Sequence, residues 1–202
     1  MAAKRCELTT EQWKSILQQA ADLGALSVRF TGGEPLLRED FPEIYLYTRK
    51  LGIKVVLFTN ARLITPEFSA LFTKVPPLNK IEVTAYGMRE KSYDGVACSP
   101  GAFEEYRKGI ALLLKSKIPF VVKSVLLPPN SSEIDEFETW ASKLPWMNKL
   151  PPYSLLLDVR ARRDSPKKNA HIKTLRLSPQ EVVAVFSRRA DDSISPAPRI
   201  CV

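Results

Sequence analysis

The chain has 202 residues, 45% of them hydrophobic and 26% charged, the balance of a soluble globular protein and not of a disordered or membrane one. No apolar run approaches the ~20 residues that span a bilayer, and the first six residues lack an apolar signal core, so a cytoplasmic chain with no membrane partner is expected. Thirty Lys and Arg against 22 Asp and Glu leave a net charge of +8, and three scattered cysteines (Cys6, Cys98, Cys201) exclude a disulfide framework and fit a reducing compartment.

The first predicted helix starts at the capping box Thr9-x-x-Gln12 and stops near Gly24. A short strand, Ser27–Phe30, follows and runs into Thr31-Gly32-Gly33-Glu34-Pro35. Asp40 is placed to cap a helix through Lys50, with Pro42 in its first turn and Gly52 as its stop. Lys54–Phe58 reads as a second strand, Thr65-Pro66 opens a helix to about Lys74, and Lys80–Thr84 is a third strand. A long polar loop is expected next, then a helix over about Ala102–Ser116 and a fourth strand, Phe120–Leu127. Ser132-x-x-Asp135 starts a helix ending near Lys143, and Ser154–Val159 reads as a fifth strand. Ser178-Pro179-Gln180-Glu181 joins an N-cap, an N1 proline and an N3 glutamate, a strong helix start. Short β-branched strands alternating with helices mean parallel βα units. Residues 1–190 are thus expected to form one α/β domain, and the Ser- and Pro-rich residues 191–202 a linker.

Ligands in such architectures bind beyond the carboxyl ends of the strands. The Gly-Gly-Glu-Pro loop is the most informative segment there. Paired glycines let the backbone approach a ligand closely, Pro35 stiffens the turn, and Glu34 places a carboxylate suited to a cationic ammonium beside that bare backbone. Thr59-Asn60, Thr84 to Gly87, Lys123 to Asn130 and Asp158 to Arg160 occupy the other strand ends. The densest basic patch, Arg160 to Lys168, contains no aromatic, whereas stacking platforms for single-stranded nucleic acid need one. It reads as a solvated loop, and a nucleic-acid partner is not expected. His171 reads as a surface residue, Trp13, Trp140 and Trp146 as packing, and Cys98 as an ordinary loop thiol. No Ser/His/Asp set, HExxH or P-loop supports hydrolytic or ATP-driven chemistry.

Phe30-Thr-Gly-Gly-Glu-Pro-Leu-Leu37, together with Leu57-Phe-Thr-Asn60, Ser92-Tyr-Asp-Gly95, Pro100-Gly-Ala-Phe103, Gly109-Ile-Ala-Leu-Leu-Leu114 and Leu177-Ser-Pro-Gln-Glu-Val182, resembles the radical S-adenosylmethionine (SAM) enzymes. Within that family the chain resembles the SPASM-type subgroup, which modifies peptides and carries a cysteine-rich C-terminal extension. The resemblance runs from Glu7 to about Val202. It implies a partial parallel (βα)6 TIM-like barrel lacking its first strand. It further implies SAM and a [4Fe–4S] cluster as cofactors, a 5′-deoxyadenosyl radical that abstracts hydrogen, a peptide or small-molecule substrate and an electron-donor protein.

By the same resemblance Thr31, Gly32, Gly33, Glu34 and Pro35 form the loop that takes the amino group of SAM. Thr59 and Asn60 match a Thr-Asn-Gly turn in which Ala61 replaces the glycine. Thr84 takes a position near the SAM ribose or carboxylate, and Lys123 one where a basic residue is common. The catalytic residue stays open. The family's cluster is held by Cys-x3-Cys-x2-Cys, because such clusters need closely grouped thiolates, and this chain has no such triplet. The expectation is a fragment or a degenerate member without metal ligands of its own, in which Cys201 would serve an auxiliary cluster in a truncated extension. The competing expectation is a non-catalytic, cluster-less barrel that binds a peptide or another partner.

Overall fold

A computed structural model describes residues 7–147, 153–155, 166–167, 170 and 174–193. In chain order the elements are α1 (Thr10–Asp22), β1 (Ser27–Phe30), α2 (Phe41–Lys50), β2 (Lys54–Thr59), α3 (Pro66–Lys74), β3 (Leu78–Ala85), α4 (Glu90–Ala97), α5 (Ala102–Lys115), β4 (Phe120–Leu126), α6 (Ile134–Ser142), β5 (Tyr153–Leu155) and α7 (Pro179–Ser193). Single 3-10 turns cover Pro35–Leu37 and Ser131–Glu133. The strands form one sheet in the order β1-β2-β3-β4-β5, parallel throughout. This is the α/β arc of consecutive βα units expected from the alternation of elements.

The local signals explain most of the boundaries. Thr9 and Gln12 form a reciprocal capping box at the start of α1, with Gln12 N–H donating to Thr9 Oγ1 at 3.2 Å and Thr9 N–H donating to Gln12 Oε1 at 2.9 Å. Thr65 caps α3 by accepting from Phe68 N–H, with Pro66 in the first turn. Ser178 and Glu181 cap α7 in the same reciprocal way. Three readings need correction. Asp40 makes no side-chain cap to α2, because its carboxylate is already taken by Arg38 and by the Thr10 hydroxyl, 2.6 Å away. The loop expected after β3 contains α4, which ends on Cys98 in the left-handed conformation. The helix expected from Ser132 begins only at Ile134, after a 3-10 turn. The residues of the fifth strand beyond Leu155, Arg160, Arg162, Arg163 and Lys168 of the basic patch, His171 and Cys201 lie outside the described residues.

Side chains alternate across each strand. Val55 and Leu57, Ile81, Val83 and Ala85, and Phe120 and Val122 face the helices and are buried. They pack with Phe41 and Tyr45 of α2, Phe72 of α3, Tyr106, Ile110 and Leu113 of α5, and Phe137 and Ala141 of α6. Trp140 and Trp146 pack against this core as expected. The Tyr45 hydroxyl donates to Val75 O at 2.6 Å, so the one polar atom this ring takes inside is partnered. The opposite, inner face is chemically different. It carries Arg29 from β1, Val56 and Phe58 from β2, Glu82 and Thr84 from β3, and Val121 and Lys123 from β4.

Candidate functional site

The carboxyl ends of β1 and β2 meet in one hydrogen-bonded cluster centred on Glu34. The sequence dictates the approach. β1 ends at Phe30, and Gly32 has φ 125°, a value open in practice only to glycine. A Cβ built on Gly32 or Gly33 would meet no atom within 4 Å, so both residues present bare backbone to open space. Glu34, half-buried, then turns its carboxylate inward. Oε1 accepts from the Thr59 hydroxyl at 2.9 Å and from Leu36 N–H at 3.2 Å, and Oε2 accepts from Asn60 N–H at 2.8 Å.

The β2 end is held just as closely. Thr59 Oγ1 accepts from Ala61 N–H at 3.0 Å, Asn60 Oδ1 accepts from Arg62 N–H at 3.0 Å, and the Tyr93 hydroxyl donates to Asn60 O at 3.3 Å. Ala61, fully buried, adopts φ 60°, so the turn keeps a glycine-like shape without glycine. Arg62 is fixed in turn by Glu105 at 2.7 Å and by the Ser99 hydroxyl at 3.0 Å.

The electrostatics follow from this geometry. Burial pushes the Glu34 carboxyl above the usual range, and the bonds from Asn60, Thr59 and Leu36 and the nearby Arg62 charge oppose that rise. Three donors occupy three of the roughly four lone-pair sites of a carboxylate, which leaves an acceptor position on a desolvated anion. Such a group suits one charge-assisted bond to a cation. Tyr86, nearby, has its phenol pushed up by burial first and by the Glu34 charge second.

Thr84 and Lys123 lie elsewhere. They are register partners on β3 and β4, on the inner face. Lys123 Nζ makes an ion pair with Glu82 Oε2 and sits 4.7 Å from the centroid of the Phe58 ring. Arg29 lies over the same ring at 4.9 Å. The structure therefore gathers Gly32, Gly33, Glu34, Thr59 and Asn60 into one cluster and puts Thr84 and Lys123 in a second group. Thr31 is exposed on the loop and Pro35 opens the 3-10 turn.

The sequence profile of the radical SAM superfamily matches residues 4–141. The chain belongs to the radical SAM superfamily. It is 33% identical over 138 residues to an AdoMet-dependent heme synthase from Methanosarcina barkeri (68% of this chain, 39% of that protein). It is 30% identical over 134 residues to a PqqA peptide cyclase from Xanthomonas euvesicatoria (66% of this chain, 36% of that protein). The chain thus spans well under half the length of these relatives. Among solved structures, native anSMEcpe with bound AdoMet superposes with a TM-score of 0.71 at 17% identity, covering 92% of this chain and 51% of that one. SuiB from Streptococcus suis gives a TM-score of 0.59 at 19% identity, covering 93% and 42%. Both likenesses establish the radical SAM, TIM-barrel-like fold.

For a radical SAM protein the described residues fit one cofactor and not the other. The open Gly32–Gly33 backbone and the unfilled acceptor position of Glu34 fit an amino acid ammonium such as that of SAM. A [4Fe–4S] cluster has no such seat: among the described residues no three His, Cys, Asp or Glu side chains converge as a metal site, and Cys98 is exposed. Several residues that shape the site escaped the sequence reading. Glu82 is one, a buried acid in a strand otherwise read as apolar. Glu133 is another, 5% exposed, accepting from Met88 N–H at 2.6 Å and from Ser92 Oγ at 2.8 Å, which ties the start of α6 to the loop after β3. Its spacing from Ser92 is 41 residues, so no local pattern signals the pair.

Proposed function

We propose that this chain is the SAM-binding core of a radical SAM enzyme that acts on a peptide or a small-molecule precursor, working with an iron–sulfur cluster held by residues other than those described and with an electron-donor protein. The carrying observation is the Glu34 carboxylate, fixed by Thr59, Asn60 and Leu36 beside bare Gly32–Gly33 backbone. SAM and a reduced cluster supply hydrogen-atom abstraction. What this chain's residues do is bind and orient. Glu34 accepts the methionine ammonium, and the glycine backbone allows close approach. Thr84 and Lys123 supply a hydroxyl and a cation on the inner face for the ribose or carboxylate. The SPASM-type subgroup is the best-fitting branch, since a peptide cyclase stands among the relatives and peptide-bound anSMEcpe among the fold neighbours.

The test is amide-resolved titration of the chain with SAM. Selective shifts at Gly33, Glu34 and Asn60 are expected, with affinity falling about tenfold in Glu34→Gln, the worth of one charge-assisted hydrogen bond. Binding that ignores Glu34→Gln, or shifts that avoid this loop, would sink the reading. The same chain should take up no four-iron cluster in anaerobic reconstitution and form no 5′-deoxyadenosine, because Cys6, Cys98 and Cys201 provide no compact triplet.

A further inference from the structure

The inner face of the sheet has only in part the composition of a packed barrel interior. Such interiors are filled by branched apolar side chains in layers. Here Val56 and Val121 share the face with Arg29, Phe58, Glu82, Thr84 and Lys123, held level by the pairings Arg29 with Val56, Phe58 with Glu82, Glu82 with Val121 and Thr84 with Lys123. Two cations lie over Phe58, with the Arg29 guanidinium carbon 4.9 Å and Lys123 Nζ 4.7 Å from its centroid. One acid serves this group. Glu82, whose side chain is 7% exposed, pairs with Lys123 and lies 3.9 Å from Lys80 Nζ. Arg29 has no acidic partner within ion-pair distance among the described residues, and it is exposed. The face therefore carries three cations against one carboxylate.

That imbalance needs a physical reason. Glu82 is buried but the Lys123 side chain is 38% exposed, so their pairing is weak evidence for stability. A guanidinium held over an aromatic ring by cation–π attraction keeps N–H donors for a carboxylate. Lys123 likewise keeps donors beyond the one directed at Glu82. The cluster also sits at the strand ends that feed the Glu34 loop, since Arg29 precedes Gly32 by three residues in the sequence.

We propose that Arg29 and Phe58 on this inner face form a subsite for an acidic side chain of the peptide substrate, its carboxylate held by the Arg29 guanidinium and its stem resting on Phe58. The proposal rests on the reading of the chain as a peptide-modifying core, and it adds that the substrate is acidic at the seated position. Glu82 acts as a positioning residue that keeps Lys123 folded over the ring.

The experiment is titration of the chain with N-acetyl-Gly-Glu-Gly-Glu-amide and with its Gln counterpart, read by the side-chain Nε–H signal of Arg29 and by fitted affinity. The acidic peptide should bind about tenfold more tightly than the Gln peptide, Arg29→Gln should remove that preference, and Arg29→Lys should restore part of it. SAM titration of the same variants separates the two readings. If SAM binding survives Arg29→Gln while the acidic preference vanishes, the subsite stands. If Arg29→Gln leaves the preference intact, or the Gln peptide binds equally well, the subsite is wrong although the SAM reading stands. Loss of SAM binding in Arg29→Gln with an unchanged unfolding midpoint would assign Arg29 to the cofactor instead, and would also overturn the proposal. A preference for a phosphorylated oligonucleotide over the acidic peptide would overturn it in favour of nucleic acid.

Discussion

Substituting Gly109 with Ala tests whether the Glu34 site is held from behind by α5. Gly109 lies in the middle of that helix and packs directly on the turn that follows β2. A Cβ added there would fall 1.9 Å from Ala61 O, 3.0 Å from the Ala61 carbonyl carbon and 3.3 Å from Ile64 Cβ. The neighbour is backbone and cannot swing aside, so the helix or the turn must shift by more than an ångström to regain van der Waals contact. Ala would otherwise be favoured over Gly in a helix interior by about 1 kcal/mol. Overpacking costs about 1–3 kcal/mol or more, and the shift also strains the Asn60 N–H bond to Glu34, 2.8 Å long. With a backbone clash this close the cost lies at the upper end of that range, so Gly109→Ala should destabilise by about 2 kcal/mol net or more and broaden or move the Asn60 amide signal. Gly95→Ala is the control: Gly95 is also helical, but its Cβ would meet nothing within 4 Å, so that change should stabilise by about 0.5–1 kcal/mol. Urea unfolding monitored by circular dichroism reads both. Equal midpoints for Gly109→Ala and wild type would refute the claim that α5 buttresses the site.

Three further outcomes are expected. The native state holds the Glu34 proton to higher pH than the unfolded chain does, because burial raises its carboxyl. Stability from this group therefore falls as pH rises from the unfolded glutamate value through the raised native value, and urea midpoints measured across that window should lose this slope in Glu34→Gln. Asp40 has the opposite sign: Arg38 first, then Thr10, hold its carboxyl below the usual range. Its contribution is present above the unfolded value and fades as pH falls through the lowered native one. Asp40→Asn should accordingly speed amide exchange in α1 at neutral pH and leave α5 unchanged. Finally, Ala61→Gly should change stability by no more than about 0.5 kcal/mol, because relief of roughly 1 kcal/mol of left-handed strain is offset by the loss of a buried methyl worth about 0.8 kcal/mol. A loss above 2 kcal/mol in thermal unfolding would mean that the Ala61 methyl fills a cavity the turn cannot close.

The elements and the Gly-Gly-Glu-Pro loop are legible along the chain. The caps at Thr9, Thr65 and Ser178 are local, each closed by a donor three residues away, and β-branched runs separated by helical periods signal parallel βα units wherever they occur. The Gly32–Glu34 loop can be read because its chemistry is contiguous: bare backbone, then a carboxylate, then a stiff proline. The same reading nominates Thr59, Asn60, Thr84 and Lys123 alike as strand-end polar residues.

How these residues divide is a matter of three-dimensional packing. Whether a strand residue faces the helices or the inner face depends on register, so Thr59 joins Glu34 while Lys123 turns to Glu82. The role of Asp40 was also settled in three dimensions, where a guanidinium from Arg38 and a hydroxyl from Thr10 outcompete the helix terminus for one carboxylate. Glu82, Glu133 and the close approach of Gly109 to Ala61 stayed hidden for the same reason. Each depends on a partner more than 40 residues distant, and no pattern along the chain encodes that proximity.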